Sequence, residues 1–368
     1  MIGSLPLNAP QLEGRIIPAL DAVEARLLEV VSNADETINP PTSHLAEAGG
    51  KRLRPVLTLL TAQLGDTALA TGEQVRDAGV AVELTHIATL YHDDVMDEAP
   101  LRRGAPSAQT VWGNSAAILT GDVLVARASQ LVAALGPQAV LAHAKTFERL
   151  CMGQLHETLP RPAGTDPVDH YIQVLADKTG SLIAVSARYG AMLTGAGAAT
   201  ERIVEEFGEK IGVAFQLADD VIDLAGDSET TGKTPGTDLR EGVDTMPVLL
   251  LRKALAAGEL DAAGQAILSR LSTGNLADDA VLADIVARLR LHPVLARTRE
   301  MAMTWAREAV GALAGLEDAV LAGTRERLDA AGSGGAEREA ALADAAQRVA
   351  LVREGMEQFA RLLVDRAA

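Results

Sequence analysis

The chain has 368 residues and 48% of them are apolar, so it can bury a substantial core and is not disordered throughout. Its 33 Lys and Arg residues against 50 Asp and Glu residues give a net charge of −17, which argues against a nucleic-acid partner. The single cysteine, Cys151, excludes a disulfide framework and a thiolate metal cluster, and it leads us to expect a cytoplasmic protein.

The composition predicts an all-α protein, because aromatic residues make up only 2% while Ala and Leu are abundant. Clusters of Pro and Gly divide the chain into about a dozen helices, with no convincing strand. The clearest breaks fall at 39–41, 49–50, 64–66, 99–100, 135–137, 160–167, 195–198 and 228–236. The Gly-rich segment 329–337 predicts a flexible loop before a last helix over 340–365. Few other stretches look like linkers, so we expect one domain over residues 1–368.

Neither a signal peptide nor a transmembrane segment is expected. The first residues lack a basic region followed by a long apolar run. The most apolar stretch, residues 181–200, contains Ser186, Arg188 and Tyr189. These polar side chains favour a buried helix over a membrane span.

Two acidic clusters, at 93–97 and 219–223, both read Asp-Asp-x-x-Asp within apolar helical runs. On a helix, side chains three or four residues apart share a face, so the carboxylates of each cluster lie together and repel one another. A nearby cation relieves that repulsion, and carboxylate oxygens suit Mg²⁺. One such cluster is typical of a solvated acidic face, but two predict a metal site. The six candidate ligands are Asp93, Asp94, Asp97, Asp219, Asp220 and Asp223.

Basic residues stand beside glycine at four places, 49–55, 102–104, 178–180 and 232–234. Gly frees the backbone, and Arg and Lys match phosphate oxygens, so these segments predict an anionic ligand. None of them is a P-loop, because no Gly-x-x-x-x-Gly-Lys pattern is present. His86 lies two helical turns before Asp93. The residues alone leave open whether it is a core histidine or a phosphate ligand.

The order and spacing of these motifs resemble the all-trans isoprenyl diphosphate synthases, also called polyprenyl synthetases, over residues 45–251. The closing third after Leu251 is only loosely similar, and Val243 stands where many members have Lys. The matching motifs lie at 49–55, 83–86, 92–97, 101–104, 119–122, 153–154, 178–180, 215–223 and 232–242.

The resemblance implies an isoprenoid-synthase-type helical bundle around a deep central cavity, usually in a homodimer. It implies that the six aspartates bind two to three Mg²⁺ ions, from the two walls of that cavity. The allylic diphosphate would be bound by Arg102, Lys178 and Lys233, and isopentenyl diphosphate by Lys51, Arg54, His86 and Arg103. Thr179 and Gln216, with Lys178, match catalytic positions near the developing carbocation.

The implied reaction condenses isopentenyl diphosphate with a geranyl, farnesyl or geranylgeranyl primer, head to tail. Metal ions stabilise the charge on the leaving diphosphate, and a dry apolar cavity protects the cation. Release of the product would bring transient contact with a membrane.

Two alternative functions fit the sequence less well. A terpene cyclase needs aromatic lining and no second diphosphate site, and a non-catalytic partner subunit would lose an acidic cluster.

Product length is predicted from the side chains along the helix before Asp93. The fifth residue before Asp93 is Ala88. In the family, the resemblance implies that an aromatic ring at this position blocks the growing chain at fifteen or twenty carbons. Thr89 and Thr85 on the same path are also small. One helical turn is about 5.4 Å, close to one isoprene unit. We therefore expect roughly thirty to fifty carbons, as in a quinone side-chain precursor. Geranylgeranyl diphosphate remains the alternative product, because a side chain from another helix could block the path of the growing chain.

Overall fold

The computed structural model describes residues 10–226 and 235–365, and most of these residues are helical. A π-helical turn, Ala176–Gly180, joins α8 to α9, and a 3-10 turn, Leu313–Gly315, precedes α16. The α-helices are α1 Pro10–Val31, α2 Asn39–Glu47, α3 Leu53–Ala62, α4 Glu73–Met96, α5 Ala108–Trp112, α6 Asn114–Ala134, α7 Pro137–Thr158, α8 Pro167–Leu175, α9 Ser181–Leu193, α10 Ala198–Ala225, α11 Thr237–Arg240, α12 Met246–Ala257, α13 Ala262–Thr273, α14 Asp279–Leu291, α15 Pro293–Ala312, α16 Leu316–Ala330 and α17 Gly335–Val364. The all-α prediction is confirmed.

The chain divides into two compact units, each made of three segments. The first comprises Met1–Glu148, Ser181–Gly208 and Val310–Phe359, and the second comprises Arg149–Gly180, Glu209–Ala309 and Ala360–Ala368. Whether the chain behaves as one domain stays a prediction.

Helix α4 is the centre of the first unit, where it packs against α1, α3, α6 and α9. Residues 80–85 in its middle are all buried, as expected for a helix that is apolar around most of its circumference. Tyr91 ties α4 to α2, because its hydroxyl donates to the Pro41 carbonyl at 2.5 Å. The hydroxyls of Thr58 and Thr61 on α3 donate to carbonyls of α9, at 2.9 and 2.7 Å. The Tyr91 bond holds the end of α4 that carries the first acidic cluster, and the threonine bonds hold α3 against α9.

In the second unit, α8 packs against the π-turn and against α12, and α13 packs against α12 and α14. Helix α8 begins after Asp166, whose carboxylate accepts hydrogen bonds from the amides of Val168 and Asp169. This N-cap satisfies amides that no helical carbonyl can reach. The side chain of Lys253 on α12 pairs with the same carboxylate at 2.8 Å.

Two details of the predicted organisation differ in the structure. A two-residue hairpin, β1 Leu101–Arg102 and β2 Ala105–Pro106, was not expected. Its turn residues, Arg103 and Gly104, have φ angles of 54° and 79°, the left-handed values that a tight hairpin turn requires. Such short strands leave no alternating pattern in the sequence. The predicted loop over 329–337 shortens to 331–334, because α16 and α17 extend into it.

The apolar stretch at 181–200 forms the largely buried helix α9, as predicted. Helix α6 is the one helix among residues 10–226 and 235–365 that is long and apolar enough to cross a membrane. That test rests on length and composition alone, and buried core helices pass it as well.

Candidate functional site

The first acidic cluster lies at the C-terminal end of α4. Asp97 caps the helix, and its amide donates to the Asp93 carbonyl at 2.8 Å. Asp94 is fully buried, whereas Asp93 is half-buried and Asp97 is exposed. A helix C-terminus carries partial negative charge, so carboxylates there raise the energy of the protein without a cation. The location therefore suits a bound metal ion.

Asp94 is held by Arg102 from the hairpin. The Arg102 Nε and terminal nitrogen both lie 2.6 Å from Asp94 Oδ1. The second oxygen, Oδ2, is buried without a hydrogen-bond partner among the described residues. Burial raises the pKa of Asp94 despite the arginine. Arg102 thus pairs with a carboxylate of the cluster that it was predicted to assist.

Arg54, Arg103 and His86 form an electrostatically coupled group in the same unit. Burial is the main cause that lowers the pKa of Arg54 to about 10, while the charge of Glu83 opposes this shift and that of Arg103 adds to it. Burial also lowers the pKa of His86 well below its ordinary value, and Arg54 and Arg103 add to the effect. Arg54 Nε is buried without a hydrogen-bond partner in the part of the chain that the structure describes. A bound anion would compensate this group.

The other two residues predicted to bind isopentenyl diphosphate, Lys51 and Arg103, lie in the same unit. Lys51 is exposed in the short connection between α2 and α3. Arg103 donates to the carbonyls of Leu45, at 2.8 Å, and Gly49. Its guanidinium is therefore engaged by the protein backbone before any ligand binds.

The second acidic cluster lies near the end of α10, in the second unit. Asp220 is buried, and both carboxylate oxygens lie 3.1 Å from the hydroxyl of Tyr171, which donates to them. The Met246 amide also donates to Asp220 at 3.1 Å. Burial raises the pKa of Asp220 well above its ordinary value, and the nearby Asp238 adds to the shift. Asp220 therefore anchors α8 and α12 to α10.

Asp219 and Asp223 are only half-buried. Asp223 accepts from the Thr237 amide at 3.1 Å. The last turn of α10 is fixed by Arg290 of α14, which donates to the carbonyls of Leu224 at 2.5 Å and Gly226 at 2.8 Å. Cations stabilise a helix C-terminus in this way. No sequence motif indicated this role of Arg290.

The two clusters therefore repeat one arrangement, with a buried middle aspartate held by protein donors and two more accessible outer ones. The outer pairs are Asp93 with Asp97 and Asp219 with Asp223. No group of three metal-ligating side chains converges on one point among residues 10–226 and 235–365. Mg²⁺ commonly takes one or two carboxylates and completes its shell with water and substrate phosphates. The two outer aspartates of each cluster supply two carboxylates, which matches this preference of Mg²⁺.

Lys178 and Thr179 lie in the π-turn, a rare geometry that is frequent at functional sites. Gly153 of α7 lies against this turn, so a Cβ there would be 2.8 Å from the Lys178 amide nitrogen. Asp177 anchors the turn by accepting from Arg149 Nε at 2.6 Å and from Gln173 at 2.9 Å. Neither the π-turn nor its anchor Asp177 was predicted from the sequence. Gly153 and Gln154, on the helix that contacts the turn, were only one of the matching motifs.

The Lys178 ammonium pairs with Glu157 at 2.5 Å. Thr179 is buried and Gln216 is half-buried. Lys233 lies in residues 227–234, outside the described residues.

The chain-length candidates line up on α4. Ala88 and Thr85 are buried, and Thr89 is half-buried. The hydroxyl of Thr85 donates to the Ala81 carbonyl and that of Thr89 to the His86 carbonyl, both at 2.8 Å. Both hydroxyls bond to the helix backbone. Burial fits a core role for Ala88 as well, so its part in product length stays a prediction.

Comparison with known proteins supports the resemblance that these motifs indicate. The sequence model of the family described as Polyprenyl synthetase matches residues 35–277, more than half of the chain. The chain belongs to the polyprenyl synthetase family. Nonaprenyl diphosphate synthase of Mycobacterium tuberculosis is 44% identical over 296 residues, which cover 80% of this chain and 86% of that protein.

Two solved structures of polyprenyl synthetases resemble this one over 98% of both chains. The polyprenyl synthase of Caulobacter crescentus is 27% identical with a TM-score of 0.77. Geranylgeranyl pyrophosphate synthase of Corynebacterium glutamicum is 35% identical with a TM-score of 0.75. Both were crystallised in complex with calcium and isoprenyl diphosphate. The predicted isoprenoid-synthase fold is thereby confirmed.

Proposed function

We propose that this polyprenyl synthetase joins isopentenyl diphosphate to an allylic diphosphate primer, head to tail, and yields an all-trans polyprenyl diphosphate. The observation that carries the proposal lies in the first unit, where the charge of Arg103 acts on Arg54 and the charges of both arginines act on His86. Burial and these positive charges lower the pKa of Arg54 and of His86, and a bound diphosphate would oppose that shift. An acidic cluster that suits Mg²⁺ ends the same helix, α4, that carries His86.

The outer aspartates of the two clusters would hold the metal, which we propose is Mg²⁺ in two to three ions per active site. When bound, it neutralises the charge that develops on a leaving diphosphate. The middle aspartates Asp94 and Asp220 would fix the helices that present the outer ones. They do so through Arg102 in one unit and Tyr171 in the other.

The basic residues would divide between the two substrates. Lys51, Arg54, His86 and Arg103 bind the diphosphate of isopentenyl diphosphate in this proposal. Arg102, Lys178 and Lys233 bind that of the primer, for which Arg102 must exchange part of its contact with Asp94, and Lys178 part of its contact with Glu157. The oxygens of Thr179 and Gln216 stabilise the allylic cation, and the departing diphosphate accepts the proton that is lost.

The product would have thirty to fifty carbons. Support comes from the small side chains of Ala88, Thr85 and Thr89 on α4 and from the nonaprenyl synthase among the relatives. The alternative is a geranylgeranyl product, as named for the Corynebacterium relative. A cyclase is not favoured, because aromatic residues make up only 2% of the chain.

The active form would be a homodimer built on α6. This helix exposes Ile118, Leu119 and Val123, which are 42%, 63% and 38% exposed, and Leu141 at the start of α7 is 58% exposed. A cluster of large apolar side chains in contact with water is typical of an interface. A second copy of the same face would cover it.

Incorporation of radiolabelled isopentenyl diphosphate with Mg²⁺ and each of geranyl, farnesyl and geranylgeranyl diphosphate tests the function. We expect elongated products that chelation of the metal abolishes. Absence of incorporation with every primer would show that the protein is not a prenyl diphosphate synthase.

Mass analysis of the same products tests the length. We expect thirty to fifty carbons from the wild type and shorter products from Ala88→Phe, because the ring fills the path along α4. A wild-type product of twenty carbons or fewer, or an unchanged length in the variant, would contradict the long-chain assignment.

A further inference from the structure

Arg52 stands in the middle of the basic segment 49–55, yet its surroundings differ from those of its neighbours. It precedes the first residue of α3 with a φ angle of 50°, a left-handed conformation that residues other than glycine seldom adopt. Its side chain is 1% exposed, so the guanidinium is inside the protein. A strained backbone and a buried charge together require strong local contacts.

All five N–H groups of Arg52 have partners. Nε and one terminal nitrogen donate to the two oxygens of Glu24, at 2.7 and 2.8 Å, in the paired geometry that suits arginine and carboxylate. The same nitrogen donates to the Ala46 carbonyl at 2.9 Å. The other terminal nitrogen donates to Glu83 at 2.9 Å and to the Gly49 carbonyl at 3.3 Å.

The charge of Arg52 is therefore compensated before any substrate arrives. Burial alone lowers the pKa of Arg52, but its bond to Glu24 and the charge of Glu83 outweigh burial and raise it. The pKa of Arg54 moves the other way. The charge of Glu83 acts on Arg54 as well, but Arg54 Nε has no hydrogen-bond partner in the part of the chain that the structure describes. A bound diphosphate therefore stabilises the charge of Arg54 more than that of Arg52.

The partners of Arg52 surround the connection that carries Lys51. Gly50 packs on two guanidinium groups, since a Cβ there would lie 3.0 Å from a terminal nitrogen of Arg52 and 3.1 Å from Cζ of Arg103. Glu83 accepts from Arg52 and lies 3.7 Å from Arg103. Arg52 thus fixes α1 through Glu24, α4 through Glu83 and the end of α2 through Ala46.

We propose that Arg52 is a positioning residue, which with Glu24 and Glu83 holds Lys51 and Arg54 in place to bind the diphosphate of isopentenyl diphosphate. This inference rests on the proposed function. It separates the basic residues of one motif into those that contact substrate and one that does not.

The test compares Arg52→Met with Arg52→Lys and with the control Arg348→Met. Arg348 also donates to backbone carbonyls in the first unit, those of Gln63 at 3.2 Å and Gly65 at 3.5 Å, but lies on α17. We expect Arg52→Met to raise KM for isopentenyl diphosphate by about ten- to a hundredfold and KM for the primer by less than about twofold. Arg52→Lys keeps the charge without the five-donor fork, so its effect should be intermediate.

Calorimetric titration with isopentenyl diphosphate alone, without primer, provides a readout that does not depend on turnover. Arg52→Met should lose affinity by the same factor, and Arg348→Met should match the wild type. If Arg52→Met does not fold, the same two measurements on Glu24→Gln decide, because this change weakens the paired bond to Arg52 and leaves the charge of Glu83 on Arg54 in place.

A wild type that incorporates no isopentenyl diphosphate contradicts the proposed function itself. An active wild type with an unchanged KM for isopentenyl diphosphate in the decisive variant contradicts the role of Arg52. Equal increases of both KM values, or an equal effect of Arg348→Met, would show a general structural role and would also overturn the inference.

Discussion

Asp219 and Asp220 are adjacent in the sequence but have opposite surroundings. Asp219 is half-buried, while Asp220 is buried and bonded to Tyr171 and to the Met246 amide. We expect Asp219→Ala to abolish most turnover and to leave the free energy of unfolding of the metal-free protein unchanged or higher, because one of several mutually repelling charges is removed. Incorporation assays and urea unfolding without metal measure the two quantities.

Asp220→Ala should instead destabilise the protein by about 1–3 kcal/mol, because it leaves the Tyr171 hydroxyl and the Met246 amide without a buried acceptor. Asp220→Asn is the matched control. It keeps the shape and an acceptor oxygen, so its unfolding free energy should stay near that of the wild type. Equal stability of the alanine variants at 219 and 220 would contradict the distinction between outer and middle aspartates.

His86 makes the stability of the ligand-free protein depend on pH. Its pKa is lowered in the folded protein, so the neutral form is favoured there. The stability that this provides is present above the unfolded pKa, near 6.5, and is lost as pH falls below it. Between pH 8 and 5.5, the wild type should lose stability relative to His86→Gln, by at most about 1.4 kcal/mol for each pH unit below 6.5.

Urea unfolding of both proteins across that range provides the measurement. Inorganic pyrophosphate should reduce the difference between them, because a bound anion favours the charged imidazole. A constant difference between wild type and variant from pH 8 to 5.5 would mean that His86 does not occupy a cationic, buried environment.

Helix α7 and the π-turn approach each other at Gly153, where no side chain fits. A Cβ at this position would lie 2.8 Å from the Lys178 amide nitrogen and 3.1 Å from Asp177 Cβ. We expect Gly153→Ala to push the turn away, to raise KM for the primer and to lower the melting temperature. The same change at Gly311 in α15 meets nothing within 4 Å. Gly311→Ala should stabilise the protein by roughly 0.5–1 kcal/mol, as expected for alanine in a helix.

Thermal unfolding and steady-state kinetics with the primer varied distinguish these two variants. If Gly153→Ala keeps the wild-type KM for the primer, then the turn is not held in place by this contact. The hairpin that carries Arg102 also depends on local backbone geometry, since its two turn residues, Arg103 and Gly104, have positive φ angles.

At the scale of the whole molecule, the exposed apolar face of α6 predicts the state of assembly. Leu119, which is 63% exposed, should lie in the interface of a homodimer. Leu119→Glu places a charge in that interface, so we expect a monomer with much reduced activity. Leu291→Glu is the matched control, because Leu291 is 89% exposed on α14 in the second unit. Analytical ultracentrifugation of both variants measures the oligomeric state. A dimeric Leu119→Glu protein would contradict the assignment of the α6 face as the dimer interface.

The sequence by itself determined the helical class, the two acidic clusters and the basic segments. Helical periodicity and the spacing of Asp-Asp-x-x-Asp are local properties, so they can be read from neighbouring residues alone. The same locality explains why the family resemblance could be recognised from motifs before any packing was known.

Only the tertiary structure decided which members of each motif are buried. Asp220 is buried because Tyr171 and Met246, 49 and 26 residues away, bring donors to it. The charge of Arg52 is compensated because Glu24 and Glu83 reach it from two other helices, whereas Arg54 Nε, two positions along, has no hydrogen-bond partner among the described residues. Burial and charge compensation depend on residues distant in the chain, and no local pattern contains them.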